Sequence, residues 1–201
     1  MIEGFTKNKY KQRFINVAEK LKLLVGAEYV YYLLEKNDHA NRVAYSTHNV
    51  WQNKYVSEFI DDCHLYSTGM DVIYNKMLTS VCFPWSYLQI IRKNHKITND
   101  CRTDYGIHNG LSYVSNFSNF IECYSLGGHI DNEGFFQSVI LNQNILYPFR
   151  VLLREIAFLE MIERKWEKEE IIKTSTLNNS YVKIIGEYQY KRIYHDIHNI
   201  T

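Results

Sequence analysis

Histidine, cysteine and the acids beside them are the residues of this chain best suited to metal or nucleophile chemistry. His195-x-x-His198 has the spacing of two metal ligands on one helix face, and Cys63-His64 follows the carboxylates Asp61 and Asp62. Neither pair has a third ligand or a base at a telling spacing, so the sequence reads as a non-enzyme with no metal and no cofactor. His108 and His129 fall at strand edges, where a solvated imidazole is the common outcome. Cys63, Cys82, Cys101 and Cys123 stand about twenty residues apart with no Cys-x-x-Cys pair, which argues against a zinc ribbon and fits reduced thiols in a cytoplasmic protein.

Binding chemistry is better represented. Trp51, Tyr55 and Phe59 recur at helical spacing and so share one helix face. Aromatic residues make up 15% of the chain, led by 17 tyrosines. Tyrosine joins an apolar body to a hydroxyl and suits a ligand cavity, although an AT-rich genome enriches the same codons.

The elements that must position these groups follow from periodicity and punctuation. Apolar residues at Phe14, Val17, Ala18, Leu21, Leu24 and Val25 make residues 9–25 an amphipathic helix closed by Gly26. Residues 29–34 and 43–46 read as strands of a hairpin, connected through the polar 35–38 stretch. Asn49 or Thr47 caps a helix running to about Asp61, a second short helix covers 71–80, and 85–91 is helical. Within 102–130, a helix stop at Gly106 and a tightly packed strand start at Gly110 lead into two strands joined by a polar turn. Residues 135–146 form a helix, and Pro148 opens another that runs to about Glu170. The last helix carries Phe149, Leu152, Leu153, Ile156, Leu159 and Ile162 on one stripe. Arg154, Glu155, Glu160, Arg164 and Lys165 lie opposite, with Glu160 and Arg164 as an i,i+4 pair. Residues 181–185 read as a further strand.

At 201 residues the chain suffices for one domain with its own core and a terminal extension. Its 23 Lys and Arg nearly balance 22 Asp and Glu, so no global field draws it to nucleic acid or anionic lipid. No apolar run approaches the roughly 20 residues of a membrane span, and residues 1–9 lack the apolar core of a signal peptide.

Phe83-Pro84-Trp85 followed by Gly106-Ile107-His108-Asn109-Gly110-Leu111-Ser112, with Trp51 and Tyr55 ahead of both, resembles the autoinducer-binding domain of LuxR-type quorum-sensing transcription regulators. The resemblance covers residues 12–165 and implies an α+β fold, an antiparallel sheet sandwiched between helices, over residues 1–170. Residues 171–201 are then a C-terminal extension. It further implies a pocket for an acyl-homoserine lactone between the sheet and the helices on one face. Trp51 would donate to the lactone carbonyl and Tyr55 to the acyl carbonyl, Asp71 would accept from the ligand amide, Trp85 would pack on the ring, and Ser125 would complete the polar set. A second register puts Tyr55 and Phe59 in the Trp and Tyr roles. The chain departs from the family where Asp71-Val72 replaces Asp-Pro and where Val114 replaces a strand proline.

The helix-turn-helix of such regulators has no counterpart here, so direct DNA binding is not expected. The resemblance implies a cytoplasmic signal receptor that forms a homodimer or pairs with a full-length regulator, or else the sensing part of a longer chain. The rival reading keeps the sandwich but fills its cavity with Tyr29, Tyr31 and Phe120, leaving an interaction module without a ligand.

Overall fold

Two strands of this protein are buried along almost their whole length, which places them at the centre of a sheet covered on both sides. They are β1 (Tyr29–Lys36) and β5 (Phe120–Gly128). The structure, a computed structural model, describes residues 8–36, 42–75, 79–117 and 119–163. With β2 (Arg42–Ser46), β3 (Ser80–Pro84) and β4 (Asn109–Phe117), the two strands form a five-stranded antiparallel sheet of order β2-β1-β5-β4-β3. The fold is the expected α+β sandwich.

Side-chain alternation divides the sheet into two faces. Val30, Tyr32 and Leu34 of β1 and Tyr124 and Leu126 of β5 pack against α1 (Asn8–Val25), α5 (Phe135–Leu141) and α6 (Gln143–Glu163). On the opposite face, Tyr31 and Leu33 meet Ile121 and Cys123 under α2 (Asn49–Lys54) and α3 (His64–Tyr74). α4 (Lys93–Asp104) closes that side before the chain enters β4. No described helix is long and apolar enough to cross a membrane.

Several elements differ from the sequence expectations. The helix expected over 71–80 lies earlier, as α3, and β3 follows it at the sheet edge with little burial and therefore no alternating signal. Only Trp85–Tyr87 of the expected 85–91 helix forms, as a 3-10 turn. Of α4 the sequence marks only the stop at Gly106, because the helix is polar almost throughout and buries only Thr98 and Arg102. Pro148 lies inside α6 rather than in its first turn, since that helix begins at Gln143. Phe120 packs on the α1/α6 face and so cannot fill the opposite cavity. Arg164, residues 171–201, the strand expected over 181–185 and the His195/His198 pair lie outside the described residues.

The expected polar face of α6 is partly inward. Glu160 is fully buried and takes a hydrogen bond from the Tyr45 hydroxyl. Glu122, also fully buried, accepts from Arg154 Nη2 at 2.5 Å and Nε at 3.0 Å, from the Tyr32 hydroxyl at 2.7 Å and from Ser115 at 3.2 Å. This network pins α6 across β5 and satisfies a carboxylate that would be costly to bury alone.

Removing Arg154, the nearer of the two α6 arginines beside Glu122, exposes that cost, since Arg150 Nε at 3.7 Å makes no hydrogen bond to the carboxylate. Arg154→Met should lower unfolding stability by about 3–5 kcal/mol in urea titrations, and Glu122→Gln in the same chain should restore a substantial part of it.

Candidate ligand-binding site

The site is built on three supports: an aromatic helix, a tryptophan seated on the sheet, and the polar helix α4. The first begins at His48, rather than at the expected Asn49 or Thr47, with His48 Nδ1 accepting from the Trp51 amide at 3.2 Å. After Lys54 the backbone widens into a π turn over Tyr55–Phe59. The ladder survives this change of pitch: the Trp51 ring lies 5.6 Å from Tyr55 and 6.1 Å from Phe59, centroid to centroid.

Trp85 owes its place to two glycines. Gly106 adopts φ +76° just past α4, a conformation that L side chains rarely take, and it turns the chain from helix towards β4. Gly110 then lets the Trp85 ring reach the sheet, because a Cβ there would lie 2.3 Å from Trp85 Cζ3. The indole N–H donates to Ser112 Oγ at 2.9 Å, and Ser112 shares a 2.7 Å hydrogen bond with Ser125 Oγ. Ser112 and Ser125 are cross-strand partners, so the β4/β5 register itself brings the hydroxyls together.

Arg102 projects from the last turn of α4, its guanidinium carbon 4.3 Å from the Trp85 ring centroid. Only 7% of the residue is exposed. Nη2 donates to Asn99 Oδ1 at 2.6 Å, whereas Nε and Nη1 are buried without a hydrogen-bond partner among the described residues. Burial lowers the Arg102 pKa to about 10, a range in which it remains a cation at neutral pH. His64, at the start of α3, stacks on His95 at 5.7 Å. Its pKa falls to about 4 through burial first, then through the positive charges of Arg102 and His95.

Together these side chains enclose a partly open cavity of about 60 Å³, or about 580 Å³ when its solvent-open mouth is counted. Trp51, Tyr55, Trp85 and Ser125, four of the five residues expected from the sequence, line it. Asp71 does not. It is exposed on α3, where its carboxylate accepts from Asn75 at 2.6 Å, because α3 buries Gly69, Val72 and Ile73 and turns Asp71 outward. Tyr29 and Tyr31, which the filled-core reading expected to occupy this space, line its wall. Burial raises the phenol pKa values of Tyr29, Tyr31 and Tyr55, keeping all three neutral.

Sequence reasoning missed Ser112, His64 and Arg102 as cavity residues. Ser112 was within reach, since it closes the glycine motif. A basic residue in the last turn of a helix ordinarily serves the helix dipole in solvent, so nothing local marked Arg102 as buried. Cys63 is buried and pairs with no other cysteine, and no group of three His, Cys, Asp or Glu among the described residues could hold a metal.

The depressed pKa of His64 has a definite pH signature. The neutral imidazole's contribution to stability is complete above about pH 6.5 and is lost as pH falls towards 4, where the unfolded chain takes up a proton that the folded one excludes. His64→Gln should flatten the fall of melting temperature across that window relative to the parent chain.

No protein-family description matches this sequence, and no curated protein does. Among solved structures, the chain is similar to the VqsR LBD domain from Pseudomonas aeruginosa, with a TM-score of 0.52 and 10% identity over 73% of this chain and 90% of that one. It is also similar to Escherichia coli SdiA, with a TM-score of 0.46 and 11% identity over 77% of this chain and 63% of that one. For CepR2 from Burkholderia cenocepacia, an N-acylhomoserine lactone dependent LuxR family transcription factor, the TM-score is 0.44 with 11% identity over 79% and 96%. The likeness is one of fold: this chain has the α+β sandwich seen in LuxR-type autoinducer-binding domains.

Proposed function

We propose that this domain is a small-molecule sensor of the LuxR-receptor type, taking an acyl-homoserine lactone or a similar small amphipathic signal between the sheet and α2–α4. The observation that carries this reading is the convergence of Trp51, Tyr55, Trp85 and Ser125 on one cavity. Those four come from three separate parts of the sheet and its helical cover, and an apolar wall with a few hydroxyl and indole groups is the composition a small amphipathic ligand requires. The head group enters beside Ser112 and Ser125, and the apolar part lies against Trp51 and Tyr55.

The reading includes association with a second copy or with a full-length regulator. Ile140 and Leu141 at the end of α5 and Ile145 in α6 are exposed and give this step an apolar surface.

One observation favours the alternative of a ligand-free interaction module. The enclosed space of about 60 Å³ is small beside the roughly 300–1,000 Å³ of common ligand sites, and Tyr29 and Tyr31 account for part of the filling.

Thermal unfolding in the presence of acyl-homoserine lactones and their close relatives separates the two. A ligand held only by the folded state, at about 100 times its Kd, adds about 2.7 kcal/mol and raises the melting temperature by several degrees. Ser125→Ala and Trp51→Phe should reduce that rise, and Asp71→Ala, altering an exposed carboxylate, should leave it unchanged. A flat response to every member of the panel supports the filled module.

A further inference from the structure

The cavity carries a charge that a neutral ligand would leave unanswered. Among the described residues, Arg102 is the only charged side chain in its lining, and no Asp or Glu lines it. A carboxylate was expected here in Asp71, but that group faces solvent and bonds to Asn75. The buried acids of the sheet are engaged elsewhere. Glu35 pairs with Arg42 at 3.0 Å and accepts from Tyr66, and Glu122 belongs to Arg154 on the opposite face. Around the guanidinium are the Trp85 ring, the amide of Asn99, the His64 imidazole and hydroxyl, thiol and phenol groups.

Burying an unpaired cation is among the most expensive arrangements a protein can adopt, and a charge-assisted hydrogen bond to an anion offsets that cost better than a neutral carbonyl does. The side chain is also held in advance of binding. Asn99 fixes Nη2, and Trp85, itself tied to Ser112, supports the guanidinium plane, so little conformational freedom remains to be lost.

We infer that the ligand is a monocarboxylate, its carboxylate held by Arg102 with the Ser112/Ser125 hydroxyls beside it and its apolar part against Trp51 and Tyr55. The inference rests on the ligand-site reading given above and specifies the head group. One guanidinium neutralises one negative charge, which suits a carboxylate better than a phosphate monoester carrying close to two. The cavity's modest size suits the same small head group.

The test uses two probes that differ by the addition of one water: N-hexanoyl-homoserine lactone and its ring-opened acid, N-hexanoyl-homoserine. Calorimetric titration of the full chain, at a mildly acidic pH that keeps the lactone closed, should show the acid binding about tenfold more tightly or better. Arg102→Gln should remove that preference and Arg102→Lys should restore part of it. The two-probe comparison on the parent chain decides the matter even if Arg102→Gln does not fold. His64 supplies a further readout, because a carboxylate bound beside Arg102 should raise its imidazole pKa in proton NMR titrations, and the lactone should not. Equal or tighter binding of the lactone overturns the carboxylate inference and leaves the sensor reading standing. Binding of neither probe, together with no response to free short-chain fatty acids, overturns both.

Discussion

The twofold alternation of side chains along β1 and β5 is the constraint from which the rest of this structure follows. Each central strand is covered on both faces, so a shift of one residue in register would exchange the two sets of side chains. Val30, Tyr32, Glu122 and Tyr124 would then trade places with Tyr31, Leu33, Cys123 and Ser125. The Glu122–Arg154 contact opposes such a shift, because Glu122 has its cation only on the α6 face. A buried ion pair contributes little net stability, and its value here lies in specifying which face is which.

With the register fixed, the two faces take different roles. The α1/α6 side is an apolar layer that includes Phe14, Leu21, Leu153 and Ile156, and its buried carboxylates Glu122 and Glu160 are partnered within it. The α2–α4 side is aromatic and polar at once, with serine hydroxyls, phenols, an indole N–H and one guanidinium among its rings. A layer that needed only to be filled would gain by replacing Arg102 with an apolar residue of similar volume. Its burial costs stability, a cost that the proposed binding function would offset.

The parts of the molecule that were legible in the sequence had a local cause. Helix α1 shows an apolar stripe ending at Gly26, the β1/β2 hairpin shows two apolar runs, and Gly106 and Gly110 mark a left-handed turn and a close ring contact. Trp51 and Tyr55 were legible because helix spacing survives the π turn. α4 was legible only at its glycine stop, being a polar helix whose two buried residues follow no apolar period. Arg102 and His64 were hidden for the same reason, since long-range packing decides their burial. Asp71 was misplaced because its spacing from Trp85 cannot say which side of α3 faces inward, and Val72 and Ile73 took that side.

Ligand binding on the α2–α4 face, and not on its opposite, is what we propose. Its most direct measurement is a proton–nitrogen NMR titration of the full chain with N-hexanoyl-homoserine, following the indole N–H signals of Trp51 and Trp85. Saturable shifts of both, with the backbone amides of Leu153 and Ile156 in α6 on the other face unmoved, are the expected result. Indole signals that stay fixed while the opposite face responds would contradict the account.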